Sequence, residues 1–314
     1  MKVIEYFPSL ENDGYMDDPV YHLDLKRFED KTDDFYLVVG DLYTPPKLQQ
    51  QFDKPVVVLT LEEPNFCIRD LKFDPLTNSQ KLMGPHADDF NNAAKVLTLC
   101  PYTANSIDNR IPIFFPFNEK YIKTEFEKKF DIVYSGHYHN EMVLSFVKAI
   151  HDNGIDYRVI NSSNDKYTTN PNCSYLEKLE LYSQSRITLC YNLLFVGEHN
   201  IHRYKQFLNA DKNLAFAHID HKIMPQIKSR VFEAAFNKSV ILCLKDPWNI
   251  IEMFFEPETE FIYFENEFDL IEKINYIKNN YNEFKPMVEK AYNRAINNYT
   301  TQHFYEKYLK NINV

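Results

Sequence analysis

Short apolar runs alternate with segments of helical period along almost the whole chain. Runs at 3–7, 35–39, 56–61, 96–99 and 111–115 are rich in Val, Ile, Leu and Phe, and their flanks are polar or carry proline, as in Pro45-Pro46 and Glu63-Pro64. Continuous apolar runs of this length, rather than alternating ones, predict strands of a parallel sheet buried on both faces. The pattern restarts at Phe130-Asp131-Ile132-Val133-Tyr134-Ser135-Gly136, and further strands are expected at 157–160, 187–191, 240–244 and 261–264. Helical spacing predicts helices over 140–153, 175–183, 228–237, 249–255 and 267–279, and a helical tail over 282–310 rich in Tyr and Phe. Segment 120–129 is highly charged and lacks an apolar stripe, so it reads as an interdomain link. The expected architecture is α/β, with two Rossmann-like domains in tandem and a cleft between them: 1–120, 121–290, and a helical tail 291–314 free to pack back on the first domain. Ligands of such sheets bind outside the carboxyl ends of the strands.

Composition narrows the chemistry. With six glycines in 314 residues, the chain has no Walker-type or G-x-G-x-x-G loop, so phosphate must be held by helix ends and side chains. A formal net charge of −10 and no long basic run argue against general nucleic-acid binding. Cys67, Cys100, Cys173, Cys190 and Cys243 form no C-x-x-C pair and are odd in number, which predicts free thiols in a reducing, cytoplasmic setting. No signal peptide is expected, because polar, acidic sequence follows Met1–Phe7 at once, and no apolar run reaches the length of a membrane span.

The segment Gln226-Ile227-Lys228-Ser229-Arg230-Val231-Phe232-Glu233-Ala234-Ala235 carries the most informative chemistry. On a helix, Val231, Phe232, Ala235 and Phe236 share one side, and Arg230, Glu233 and Asn237 the other. Two cations, Lys228 and Arg230, with the carboxylate of Glu233 near a helix start suit a sugar nucleotide: cations and amides for the diphosphate, a carboxylate for ribose hydroxyls. The competing reading is a surface helix with a solvated Arg230–Glu233 pair, although Arg before Glu is the weaker order for such pairs. A second element, Ser135-Gly136-His137, follows an expected strand; Gly136 permits a tight turn, and Ser135 and His137 could meet phosphate. It also reads as an ordinary strand-to-helix turn capped by Asn140. His137 and His139 are spaced like metal ligands but lack an acidic partner, and His218-Ile219-Asp220-His221-Lys222 reads as a polar loop. Acidic residues near the ends of the early strands, Asp13 and Glu62 among them, are candidates for a general base.

With these residues in place the second half resembles the C-terminal domain of GT-B glycosyltransferases, on the group-1-like branch that includes the CgeB spore-protein family. The resemblance rests on Arg230-Val231-Phe232-Glu233-Ala234, the 240–244 strand, Asp246-Pro247, Glu252, Phe255, Glu260–Phe264 and Leu270. It extends to Asp131–Gly136, Tyr182–Leu189 and Asn298–His303, so it covers about residues 130–310. Two positions depart from it: Pro225 stands where the family has the first Glu of its E-x7-E pattern, and Asn237-Lys238 where it has a glycine. The resemblance implies a nucleotide-sugar donor, such as a UDP- or GDP-sugar, bound by the second domain. Glu233 is placed at the ribose, Arg230 and Lys228 at the diphosphate, and Ser135, Gly136 and His137 at the phosphates or sugar. It implies transfer to a glycan-type acceptor on the first domain, with Arg230 and Lys228 stabilising the departing diphosphate, no metal and no separate cofactor. The alternatives are a sugar-nucleotide epimerase on the same fold and a non-catalytic nucleotide- or glycan-binding module. Inverting and retaining outcomes stay equally open.

Overall fold

The computed structural model describes residues 1–6, 19–31, 34–40, 52–60, 71–74, 79–82, 93–101, 109–136, 141–161, 165–195 and 223–314. In the first half, β1 (Lys2–Tyr6), β2 (Tyr36–Gly40) and β3 (Val56–Thr60) are followed by the antiparallel pair β4 (Leu71–Asp74) and β5 (Ser79–Leu82). β6 (Lys95–Thr98) and β7 (Arg110–Pro112) complete a parallel sheet in the order β1-β2-β3-β6-β7. All five residues of β3 are buried, as a continuous Val-Val-Val-Leu run in a central parallel strand requires.

The second half gives β8 (Phe130–Ser135), α1 (Glu141–Asp152), β9 (Tyr157–Asn161), β10 (Asn170–Pro171) and α2 (Tyr175–Gln184). β11 (Ser185–Cys190) follows, then β12 (Leu193–Phe195) paired antiparallel with β13 (Ile223–Pro225). Next come α3 (Ser229–Phe236), β14 (Val240–Leu244), β15 (Ile262–Phe264), α4 (Glu267–Asn279), α5 (Tyr281–Asn298) and α6 (Thr301–Phe304). This parallel sheet has the order β10-β9-β8-β11-β14-β15.

Three expectations need correction. The segment 111–115 pairs only over Arg110–Pro112; beyond it, Phe114 and Phe117 leave the sheet to pack on α3. Segment 249–255 is not an α-helix but a 3-10 turn at Ile250–Met253, because the Asp246 side chain takes the amides of Trp248 and Ile250 and Asn249 sits at φ 52. The charged segment 120–129, expected as a link between domains, is anchored to the second sheet's helices. Its Lys128 ammonium donates to Ser183 O at 2.9 Å and Asn237 O at 3.1 Å, and so caps the C-terminal ends of α2 and α3 together. The tail helix breaks at Asn298, and α6 is followed by a wide π turn at Tyr305–Leu309.

The apolar core runs from one sheet to the other through α3. The helix is rich in Ala and Phe and has no Gly or Pro, a composition that favours helix and can be buried on every side. Val231, Phe232, Ala234, Ala235 and Phe236 are all buried. Phe236 stacks on Phe117 with centroids 4.2 Å apart. Phe232 meets Phe254, Tyr299 and Phe114 at 5.1, 5.2 and 6.3 Å. The tail joins the same core: Thr301 N donates to Phe117 O at 2.9 Å, and Tyr305 stacks on Phe28 of the first half at 4.3 Å. The helix ends at Asn237, and Lys238 takes φ 50, the left-handed conformation for which glycine is the usual choice.

Truncation of Phe232 removes the ring shared by these segments. Phe232→Ala is expected to cost about 3–5 kcal/mol, read as a lower urea midpoint; a loss under about 1 kcal/mol would show that the shared core does not hold the halves together.

Candidate functional site

The second sheet reverses its strand order between β8 and β11: the chain moves from β8 outward to β9 and β10, then returns to β11 on the other side of β8. Such a reversal splays the two outgoing connections and opens a crevice at the carboxyl ends of both strands. The described strands of the first sheet progress in one direction, with no such reversal among them. Gly136 follows β8, and Tyr191 and Asn192 follow β11, at the mouth of that crevice.

α3 delivers Arg230 to it. The approach is fixed by backbone amides: Gln226 N donates to Asn192 O at 3.1 Å, Lys228 N to Asn192 Oδ1 at 3.1 Å, and Ile227 N to Leu99 O, just past β6 of the first sheet, at 3.0 Å. The Arg230 guanidinium carbon lies 4.3 Å from the Tyr191 ring centroid and 5.3 Å from that of Tyr134, within cation–π range of both. The two phenol oxygens are 3.0 Å apart. Burial pushes the Tyr134 phenol well above its ordinary range, Tyr191 adds to this, and Arg230 only partly offsets it, so the phenol is neutral and supplies no counter-charge. Gly136, at φ +132, is where only glycine fits: a Cβ there would stand 2.6 Å from Arg230 Nη2. No carboxylate forms an ion pair with Arg230 among the described residues, and its Nη1 is buried without a hydrogen-bond partner. An always-charged guanidinium is thus held in the crevice with one donor unused.

Glu233 lies one turn on. It is 1% exposed, with Oε1 accepting from the Lys178 ammonium on α2 at 2.9 Å and Oε2 equally close to it but without a hydrogen bond. The solvated Arg230–Glu233 pair does not form, because α3 packs against α2 and its polar side is interior. A buried carboxylate there is tolerable only with a partner. Lys178 in turn lies 5.4 and 5.7 Å from the rings of Tyr175 and Tyr182. Asn237 is also buried, donating from Nδ2 to Glu233 O at 2.8 Å. Ser135 is buried with its Oγ 2.6 Å from the Tyr182 hydroxyl on α2. Lys228 stands at the N-cap of α3, half-buried, with its ammonium bonded to the Gln226 side-chain oxygen. Ser135, Gly136, Lys228, Arg230 and Glu233 are therefore brought to one end of one sheet. His137, Asp13 and Glu62 lie outside the described residues, as do His139, Asn140 and 218–222. Among the described residues no three His, Cys, Asp or Glu side chains gather as a metal ion would need.

A family model described as glycosyl transferase-like matches residues 141–310, more than half of the chain. The chain belongs to this glycosyl transferase-like family. Lys178, Arg230 and Glu233 fall inside the matched region, and Tyr134–Gly136 just before it. No curated protein sequence matches the chain. Among solved structures, TarM from S. aureus, a complex containing UDP, has TM-score 0.54 and 14% identity, over 93% of this chain and 58% of TarM. The pneumococcal O-GlcNAc transferase GtfA, in complex with UDP and GlcNAc, has TM-score 0.53 and 10% identity, over 90% of this chain and 57% of GtfA. AviGT4, a glycosyltransferase involved in avilamycin A biosynthesis, has TM-score 0.53 and 10% identity, over 90% of this chain and 75% of AviGT4. The chain thus spans under three fifths of the length of TarM and GtfA. The fold is GT-B, with two Rossmann-like parallel sheets.

Three features of the site in this glycosyl transferase-like chain were given no role in the sequence expectations. Tyr134 and Tyr191 stand at the ends of two expected strands, and their pairing was available from strand order alone. Lys178 shares a helical face with Tyr175 and Tyr182, three residues before it and four after, and a lysine inside an aromatic stripe signals a buried partner. The third is Asp246, just past β14 and 2% exposed. Its Oδ1 accepts from Trp248 N at 3.0 Å and Ile250 N at 3.2 Å, while Oδ2 is buried without a partner. Burial pushes its carboxyl up from 3.8 to about 6, against the pull of those amides.

A carboxyl whose folded pKa exceeds its unfolded value gives stability that is full below the unfolded pKa and is lost as pH rises through the folded one. For Asp246 that window is pH 4 to 6, and a shift of this size corresponds to about 3 kcal/mol. Asp246→Asn keeps the turn acceptor and removes the titration. Its stability relative to the parent is expected to improve steadily between pH 4 and 6.5 in denaturant titrations; a pH-independent difference would contradict the assignment.

Proposed function

We propose that the chain is a glycosyltransferase that moves a sugar from a nucleoside-diphosphate-sugar donor to a glycan-type acceptor. The observation that carries this reading is Arg230: a charged guanidinium at the switch point of the second sheet, with no carboxylate partner among the described residues and a buried Nη1 unused. A diphosphate supplies both the missing charge and the missing acceptors. Family membership and the UDP found with TarM and GtfA support the same donor class.

In this reading Arg230 and the first amides of α3 meet the diphosphate, with Lys228 as a second cation at the helix start. As the sugar–phosphate bond breaks, charge grows on oxygens already held by these groups, so Arg230 stabilises the leaving group without a metal. Glu233 accepts from the ribose hydroxyls, and Gly136 lets the strand end approach the phosphates. The acceptor enters from the side of residues 1–120, where Asp13 and Glu62 are the candidates for a base. The donor side spans 121–290, and 291–314 closes the chain against the first sheet. We place the protein in the cytoplasm, on the CgeB-like branch of its family; the four described cysteines form no disulfide, and none of the described helices is long and apolar enough to cross a membrane.

Incubation with UDP-, GDP- and dTDP-sugars across an acceptor panel, with and without EDTA, tests the reaction. Free nucleoside diphosphate is expected from at least one donor, undiminished by EDTA. Binding without release would make the chain a binding module, interconversion of sugars an epimerase, and EDTA-sensitive release would remove the metal-free mechanism. Arg230→Ala is expected to lower kcat about 100-fold, with a smaller change in donor affinity. Glu233→Ala is expected to weaken donor binding by about tenfold or more; unchanged affinity would end the ribose role.

A further inference from the structure

Arg230 and Glu233 stand three residues apart on α3, a spacing at which a guanidinium and a carboxylate are neighbours. Yet no ion pair joins them, and Glu233 instead turns both oxygens to Lys178 at 2.9 Å. Lys178 comes from another helix and is itself almost buried between the Tyr175 and Tyr182 rings. α2 is set firmly for this contact. Its start carries a reciprocal Ser174–Glu177 cap, His22 of the first half stacks on Tyr175 with centroids 4.4 Å apart, and Lys128 ties its end to that of α3.

We infer that Lys178 is a positioning residue that takes up the Glu233 carboxylate and so keeps Arg230 open for the donor's diphosphate. The inference rests on the donor-site reading above and adds to it the reason why Arg230 has no counter-ion among the described residues. Without Lys178, a buried carboxylate one turn away has the Arg230 guanidinium to turn to, and as part of the same helix it competes with any dissolved anion at high effective concentration. The site would then neutralise itself. Tyr182 sits where such a rearrangement would be felt: Glu233 holds its phenol up and Arg230 pulls it down, on top of the larger effect of burial. No titration is needed for the device, only the geometry of one carboxylate between two cations.

Inorganic pyrophosphate is the appropriate probe, because it lacks the ribose that Glu233 would contact. In calorimetric titrations of the full chain, Lys178→Met is expected to weaken pyrophosphate affinity by about tenfold or more. Lys178→Met/Glu233→Gln, which removes the competing carboxylate, is expected to recover it, and Lys178→Arg, which keeps the pair, to match the parent. Rescue by a second substitution separates this role from a merely structural one. Parent-like affinity in Lys178→Met, or no recovery in the double variant, would overturn the inference. Should Lys178→Met fail to fold, the double variant carries the test alone, since it leaves no unpaired buried charge: failure to bind pyrophosphate would overturn the proposal. A parent protein that binds neither pyrophosphate nor UDP would instead overturn the donor-site reading itself.

Discussion

A guanidinium taken out of water without a counter-ion is costly, and among the described residues that cost falls on Arg230. Two tyrosine rings soften it through their faces, Gly136 leaves room for it, and Lys178 takes up the neighbouring Glu233 carboxylate that would cancel it. Each is a local departure from what stability alone would choose. Gly136 takes a backbone conformation that other residues rarely adopt, a lysine is placed in an aromatic stripe, and a buried donor is left unused. Together they make sense as preparation for an anionic ligand, which returns the lost solvation when it binds.

α3 makes this arrangement possible because it is both binding element and joint. Its first turn faces the crevice at the β8–β11 reversal, and its Phe232 and Phe236 face the segment that leaves the first sheet. The bond from Ile227 N to Leu99 O ties the approach to this helix directly to the end of β6. Lys128 acts at the other end, holding the last carbonyls of α2 and α3 with one ammonium. The pair Lys178–Glu233 lies between these two constraints, so the two helices cannot slide past one another without breaking it.

The strands of the second half were legible because parallel strands buried on both faces read as unbroken apolar runs, and β8, β11 and β14 fall within a residue or two of expectation. Arg230 and Gly136 were legible for chemical reasons, as a cation near a helix start and a rare glycine after a strand. What the sequence hid was burial. Helical periodicity put Glu233 and Asn237 on a polar side, and nothing local says that α2 will cover that side and supply Lys178. The anchoring of segment 120–129 was hidden for the same reason: a run of charges reads as solvated, yet Lys128 reaches two helix ends. At 249–255 the apolar spacing suggested a helix, but the Asp246 carboxylate competes for the first amides and tightens the turn. The short β12–β13 pair has too few residues for periodicity to register.

The central claim concerns a single atom. A crystal structure of the protein with a bound nucleoside diphosphate, UDP first, tests it directly. The account predicts a phosphoryl oxygen within about 2.7–2.9 Å of Arg230 Nη1, with Glu233 still on Lys178 or shared with the ribose. A diphosphate seated elsewhere, with Nη1 still unpartnered between Tyr134 and Tyr191, would contradict it.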